Sequence, residues 1–179
     1  MDNEAHEFAY NVLFSGAPNK INAPTRDYIF NTILDSFMEK PVKVFQVGCI
    51  ETFDVRWRVG SGWSDLIFGE YIKEHGGSLT LCDISLDNVA KSFFAAKSLG
   101  YEANFVIGDA IRHIGNDDYD IYYLDGGNDP KETFDQYMAI KDKKAVIIVD
   151  DFNIKGTLLS HLPFRREPVA NHVGVLDQR

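Results

Sequence analysis

The chain has 179 residues, of which 45% are hydrophobic and 13% aromatic, enough apolar material for one globular domain with its own core. A formal net charge of −9 argues against a nucleic-acid surface, because a phosphate backbone demands clustered Lys and Arg. The acidic start Met1-Asp-Asn-Glu-Ala-His6 lacks the basic and apolar regions of a signal peptide, and no apolar run reaches membrane-spanning length, so a cytoplasmic protein with no membrane partner is expected.

Residues 1–40 read as a helical lead-in. Phe8, Val12 and Leu13 precede the turn-rich Ser15-Gly-Ala-Pro-Asn19, and Tyr28, Ile29, Ile33, Leu34 and Phe37 then recur at helical spacing behind Thr25 as a cap. Lys43 to Gly48 is a short apolar run ending in glycine, which predicts a strand and a turn. An insertion from Cys49 to Gly60 separates it from Gly60-Ser-Gly-Trp-Ser64 and a helix over 65–72, with Ser64 as N-cap and Leu66, Ile67 and Tyr71 as its buried stripe. Trp57, Trp63, Arg56 and Arg58 read either as a lid over a ligand or as an ordinary surface loop with one anchored tryptophan.

Ser78 to Asp83 is a second strand ending in a carboxylate, followed by a helix carrying Val89, Phe93, Phe94, Ala96 and Leu99 and stopped by Gly100. Asn104 to Asp109, Tyr119 to Asp125 and Ala145 to Asp151 are further strands, with a short helix through Ile111 and Ile114 and a longer one over 130–140 with Phe134, Tyr137 and Met138 as its apolar side. Residues 157–162 predict a last helix and 168–176 a final strand or hairpin. Strands that are nearly continuous apolar runs, alternating with helices, predict an α/β fold: a Rossmann-like, doubly wound, mostly parallel sheet with helices on both faces. Cys49 and Cys82, near the ends of neighbouring strands, read as reduced buried thiols.

Four of these strands end in acidic residues, namely Asp83, Asp109, Asp125 and the pair Asp150-Asp151. In an open α/β sheet those ends share the rim where ligands bind, and an acidic residue ending the second strand can accept from both ribose hydroxyls. A single strand-end Asp is usually a cap or turn former. Four together repel unless hydroxyls, cations or a metal compensate them. A G-x-G-x-x-G dinucleotide fingerprint is absent after the first strand, which counts against a dinucleotide enzyme of similar fold.

Over about Val42 to Asp151 this series resembles the class I S-adenosylmethionine-dependent methyltransferases. The resemblance implies S-adenosylmethionine as cofactor: Gly48, Gly62, Trp63 and Ser64 against its methionine portion, Asp83 with Ile84 beside it at the ribose, and Gly108-Asp109 at the adenine. It divides the chain into a lead-in (1–40), a cofactor-binding core (41–151) and a short completion (152–179) of one methyltransferase-like domain. Leu124-Asp-Gly-Gly-Asn-Asp-Pro-Lys-Glu-Thr-Phe134 and Val146-Ile-Ile-Val-Asp-Asp-Phe152 are similar to metal-dependent O-methyltransferases of the macrocin type and, more distantly, of the catechol type. That similarity implies Mg²⁺ on Asp125, Asp150 and Asp151, with Asp125 as candidate base and a small hydroxylated acceptor such as a sugar. His113, His161 and His172 are further base candidates, although a lone histidine is more often surface or packing. Gln46 stands where that family's first strand carries an acidic residue, and Gly127-Asn128 where a His or Tyr often follows the fourth-strand Asp. With the short tail, these departures keep a non-catalytic S-adenosylmethionine-binding or protein-binding domain as the alternative; the chain's size is compatible with a homodimer.

Overall fold

The structure is a computed structural model that describes residues 23–54, 63–127, 129–166 and 173–179. Helix α1 (Ala23–Asp35) leads into strand β1 (Val42–Val47), followed by α2 (Ser64–His75), β2 (Gly77–Asp83), α3 (Leu86–Leu99) and β3 (Asn104–Ile107). Then come β4 (Ile121–Leu124), α4 (Pro130–Ile140), β5 (Val146–Val149), β6 (Arg165–Arg166) and β7 (Gly174–Asp177), with single 3₁₀ turns at Ala110–Arg112 and Thr157–Leu159. The sheet order is β3-β2-β1-β4-β5-β7-β6. β1 to β5 pair in parallel, whereas β7 runs antiparallel to both β5 and β6. The tail expected as a strand or hairpin is this antiparallel edge.

The pleat assigns the core. Val42 and Val44 of β1 face one layer with α1, α2 and α3, while Phe45 and Val47 face the other with Tyr137 and Ile140 of α4. β4 and β5 are buried along their whole length, as strands covered on both faces must be. Because the chain winds outward from β1 through β2 to β3 and then returns to β4 on the opposite side, the strand order reverses between β1 and β4. That reversal opens a crevice at the C-terminal ends of these two strands.

Several helix faces differ from the sequence reading. α1 already runs from Ala23, so Thr25 is inside its first turn, and Tyr28 is exposed while Phe30 takes its place in the core. The buried face of α2 is Asp65, Leu66, Phe68, Gly69 and Ile72, one position round from the expected stripe. Gly69 is the cause: the Tyr101 ring packs so closely that a side chain there would meet it at 2.5 Å. In α3 it is Ser92 and Ala95 that are buried while Phe93 is exposed, and in α4 Met138 is exposed. Phe8, Val12 and Leu13 lie outside the described residues.

Candidate functional site

At the rim where the strand order reverses lies a cavity of about 630 Å³. Gly48 and Cys49 enter it from the end of β1, Asp83 and Ile84 from β2, Gly108 and Asp109 from β3, and Asp125 to Gly127 from β4. Asp151, after β5, and the side chains of Glu51, Asn88, Glu132 and Lys155 complete its wall.

Gly48 sets how closely the β1 and β4 ends approach. Its φ of 93° lies in the region that favours glycine, and a Cβ there would stand 2.9 Å from the Asp125 carbonyl oxygen. The Asp83 carboxylate is held from three sides. Oδ2 accepts from the Cys49 N–H at 2.9 Å and from Asn88 Nδ2 at 3.2 Å, and Oδ1 accepts from the Ser85 N–H at 2.8 Å. Two oxygens offer about four acceptor sites, so capacity remains for a ligand hydroxyl. Asp109 accepts from the Ile111 N–H at 3.1 Å and caps the 3₁₀ turn behind it. Cys49 and Cys82 are free buried thiols, as expected. Burial, then Asp83 and Asp109, pushes Cys82 up to about 11, and burial with Asp65 and Asp83 pushes Cys49 higher, so both thiols stay protonated and weakly nucleophilic.

The second half of the site is a carboxylate cluster. One oxygen from each of Asp125, Asp150 and Asp151 lies within 4.8 Å of the others. Successive strand residues point to opposite faces, so an Asp150-Asp151 pair converges only if the backbone breaks out of the pleat. Asp151 does so with a φ of 44°, and its N–H donates to Asp150 Oδ1 at 2.9 Å. The Tyr123 hydroxyl bridges the cluster, 2.9 Å from Asp150 Oδ2 and 3.1 Å from Asp125 Oδ2. Lys155 is buried against the same group, its Nζ 2.7 Å from Asp125 Oδ1 and 3.7 Å from Asp151 Oδ2. Burial alone would lower the Lys155 pKa, but Asp125, Asp150 and Asp151 outweigh it and hold the ammonium above its ordinary value.

No protein-family description and no curated protein matches this chain. Solved structures do. A Podospora anserina methyltransferase, PaMTH1, bound to SAH, superposes with a TM-score of 0.65 over 99% of this chain and 87% of its own, at 15% identity. MtNAS in complex with MTA and tNA gives 0.56 over 99% of this chain and 70% of its own at 13% identity. A SAM-dependent methyltransferase from Geobacter sulfurreducens with S-adenosyl-L-homocysteine gives 0.50 over 79% of this chain at 17% identity, and this chain spans only about half (53%) of its length. The fold is the Rossmann-like methyltransferase fold. A specifically metal-dependent O-methyltransferase likeness is not among these similarities.

Within this methyltransferase fold, the structure brings Gly48, Asp83, Ile84, Gly108, Asp109 and Asp125 to one cavity. Trp63 and Ser64 are not on its wall. Trp63 is part of the core behind α1 and α2, and it precedes the first helical residue, Ser64, which is therefore not an N-cap and makes no capping bond. Gly62, His172, Trp57, Arg56 and Arg58, and with them the lid reading, fall outside the described residues. His113 and His161 do not line the cavity.

The Asp125, Asp150 and Asp151 donor set does not fit a resident metal ion as it stands. Lys155 Nζ lies 2.7 Å from Asp125 Oδ1 and 3.7 Å from Asp151 Oδ2, so a dication among these oxygens would meet a buried ammonium, while the Tyr123 hydroxyl and the Asp151 N–H contact Asp150, which is 1% exposed. Lys155 and Glu132 are the residues that sequence reasoning passed over. Glu132 reads as a first-turn helix residue, yet it lines the cavity, accepts from Gln136 Nε2 at 3.2 Å and is pushed up by burial, Asp109 and Asp129. The spacing of Lys155 four residues after Asp151 was the available signal, usable only once the turn between them is known.

Proposed function

We propose that this protein is an S-adenosylmethionine-dependent methyltransferase acting on a small acceptor held in the rim cavity. The observation that carries the reading is Asp83, a carboxylate with spare acceptor capacity at the end of β2, facing the same cavity as Gly48. Those residues fit the cofactor by their own chemistry. Asp83 can accept from ribose hydroxyls, Gly48 offers a surface that lacks a side chain, and Ile84 and Gly108-Asp109 border a flat apolar group. When bound, S-adenosylmethionine supplies an electrophilic methyl group on a sulfonium.

Transfer of that methyl is an in-line displacement, so the protein's work is to position two reactants and accept a proton. Asp125, Glu132 and Asp151 are the carboxylates on the β4 and β5 side of the cavity. Asp125 is paired with Lys155 and is thereby a poor base. Glu132, whose pKa is raised by burial, suits the proton better. The finer reading is O-methylation of a hydroxylated small molecule such as a sugar, supported by these carboxylates beside the cavity. Metal assistance is not part of this reading, because Lys155 already brings a positive charge to the donor set.

Calorimetric titration with S-adenosylhomocysteine, with NAD⁺ as control, tests the proposal. Micromolar binding, about −8 kcal/mol, is expected for S-adenosylhomocysteine and none for NAD⁺. Binding of NAD⁺ alone would sink it. Cofactor binding followed by failure of every acceptor class to be methylated would favour a non-catalytic binding domain.

A further inference from the structure

The acidic rim carries its own cation. A tight turn after β5, with the N–H groups of Ile154 and Lys155 donating to the Asp151 carbonyl at 2.7 and 2.8 Å, folds Lys155 back over the end of β4. There the side chain is 4% exposed, with Nζ 2.7 Å from Asp125 Oδ1, 3.5 Å from the Asp125 carbonyl oxygen and 3.7 Å from Asp151 Oδ2. An ammonium so thoroughly removed from water persists only where carboxylates surround it. Three carboxylates so close together repel unless a cation, a hydroxyl or a shared proton compensates them, and here an ammonium is in place.

We propose that Lys155 is a positioning residue that takes the place of a divalent metal ion, so that the site works metal-free. Steric exclusion is the first argument. A hard divalent cation sits about 2.0–2.6 Å from its oxygens. Lys155 Nζ lies 2.7 Å from Asp125 Oδ1 and 3.7 Å from Asp151 Oδ2, in the space between those carboxylates that such an ion would fill. Charge is the second, since a dication seated among these oxygens would lie against a buried ammonium and the two would repel. Lys155 holds Asp125 against the β4 end, and because it also lines the cavity it presents a donor toward the acceptor. Its part in catalysis rests on the methyl-transfer reading above, whereas its assignment as the resident cation does not.

The test is Mn²⁺ binding, followed by electron paramagnetic resonance of the free ion, for the wild-type chain and for Lys155→Met, Lys155→Arg and the double variant Lys155→Met with Asp125→Asn. Removing the ammonium takes away the charge that repels a dication, so Lys155→Met is expected to gain a Mn²⁺ site at least about tenfold tighter than any in the wild type. Lys155→Arg, which keeps the charge, should remain like wild type, and the double variant should lose the gained site. A merely structural lysine would produce no such gain. One tightly held Mn²⁺ per wild-type chain overturns the proposal, as does a Lys155→Met protein that folds and binds Mn²⁺ no better. If Lys155→Met does not fold, the wild-type and Lys155→Arg titrations still decide, with stoichiometric binding by either refuting it and none supporting it. S-adenosylhomocysteine titration of the same wild-type preparation reports on the methyltransferase reading separately.

Discussion

The backbone N–H of Cys49 donates to the Asp83 carboxylate at 2.9 Å, tying the loop after β1 to the end of β2. One side chain thus shapes the floor of the cavity while keeping acceptor capacity for a ligand. We predict that Asp83→Ala weakens S-adenosylhomocysteine binding by at least tenfold, about 1.4 kcal/mol. Asn88→Ala, which removes only one supporting donor, should cost less. Calorimetry on both decides, and a fully tight Asp83→Ala protein would remove Asp83 from the site.

Gly48 and Asp125 approach too closely for a side chain. Gly48→Ala would combine a strained backbone with a Cβ placed 2.9 Å from a carbonyl oxygen that cannot retreat without moving β4. A stability loss of about 1–3 kcal/mol is expected in urea unfolding, together with weaker cofactor binding. An unchanged unfolding midpoint would contradict so close an approach of the β1 and β4 ends.

Removing the Lys155 ammonium leaves buried carboxylates without their partner. Lys155→Met should lose about 3–5 kcal/mol at neutral pH. The loss has a pH signature. Burial lowers the Lys155 pKa but Asp125, Asp150 and Asp151 hold it above its ordinary value, so its contribution is fully present at neutral pH and is lost only as pH rises through that raised value. Urea unfolding of both proteins at pH 7.5 and 10.5 checks this, and a penalty that is the same at both would mean that lost packing, not charge, is responsible.

Asp65 is a fully buried carboxyl whose Oδ2 accepts from Ser92 Oγ at 2.7 Å, while Ser92 in turn accepts from the Ile50 N–H at 2.9 Å. Burial pushes its pKa up to about 7, and the Ser92 bond offsets only part of that. The folded state therefore binds this proton more tightly than the unfolded chain, whose carboxyl titrates near about 3.9. Stability is present below that unfolded value and is lost as pH rises through the folded one, by about 4 kcal/mol for a shift of roughly 3 units. Asp65→Asn should flatten this dependence and be the more stable protein at pH 8, as read by thermal unfolding across pH 4–8. Parallel curves for the two proteins would show that Asp65 is ionised throughout.

That Asp83, Gly108-Asp109 and Asp125 share one cavity was legible because each ends a strand, and in a parallel sheet all such ends meet at one rim. Trp63 and Ser64 stand off the cavity wall. They sit at the start of a helix, and only packing shows that the tryptophan belongs to the core and that the helix begins without a side-chain cap. Asp150 and Asp151 looked equivalent in the chain, yet one is buried under Tyr123 and the other turns into the cavity through a left-handed backbone.

The amino-acid sequence by itself determined the alternation of buried strands and helices and the acids that end four of the strands, because both follow from periodicity and residue type within a few positions of chain. Tertiary structure alone decided that the carboxylate cluster is joined by Lys155. The turn after β5 is local, but the contact it makes joins Lys155 to Asp125, 30 residues apart in sequence, and no local pattern encodes which charge will meet which.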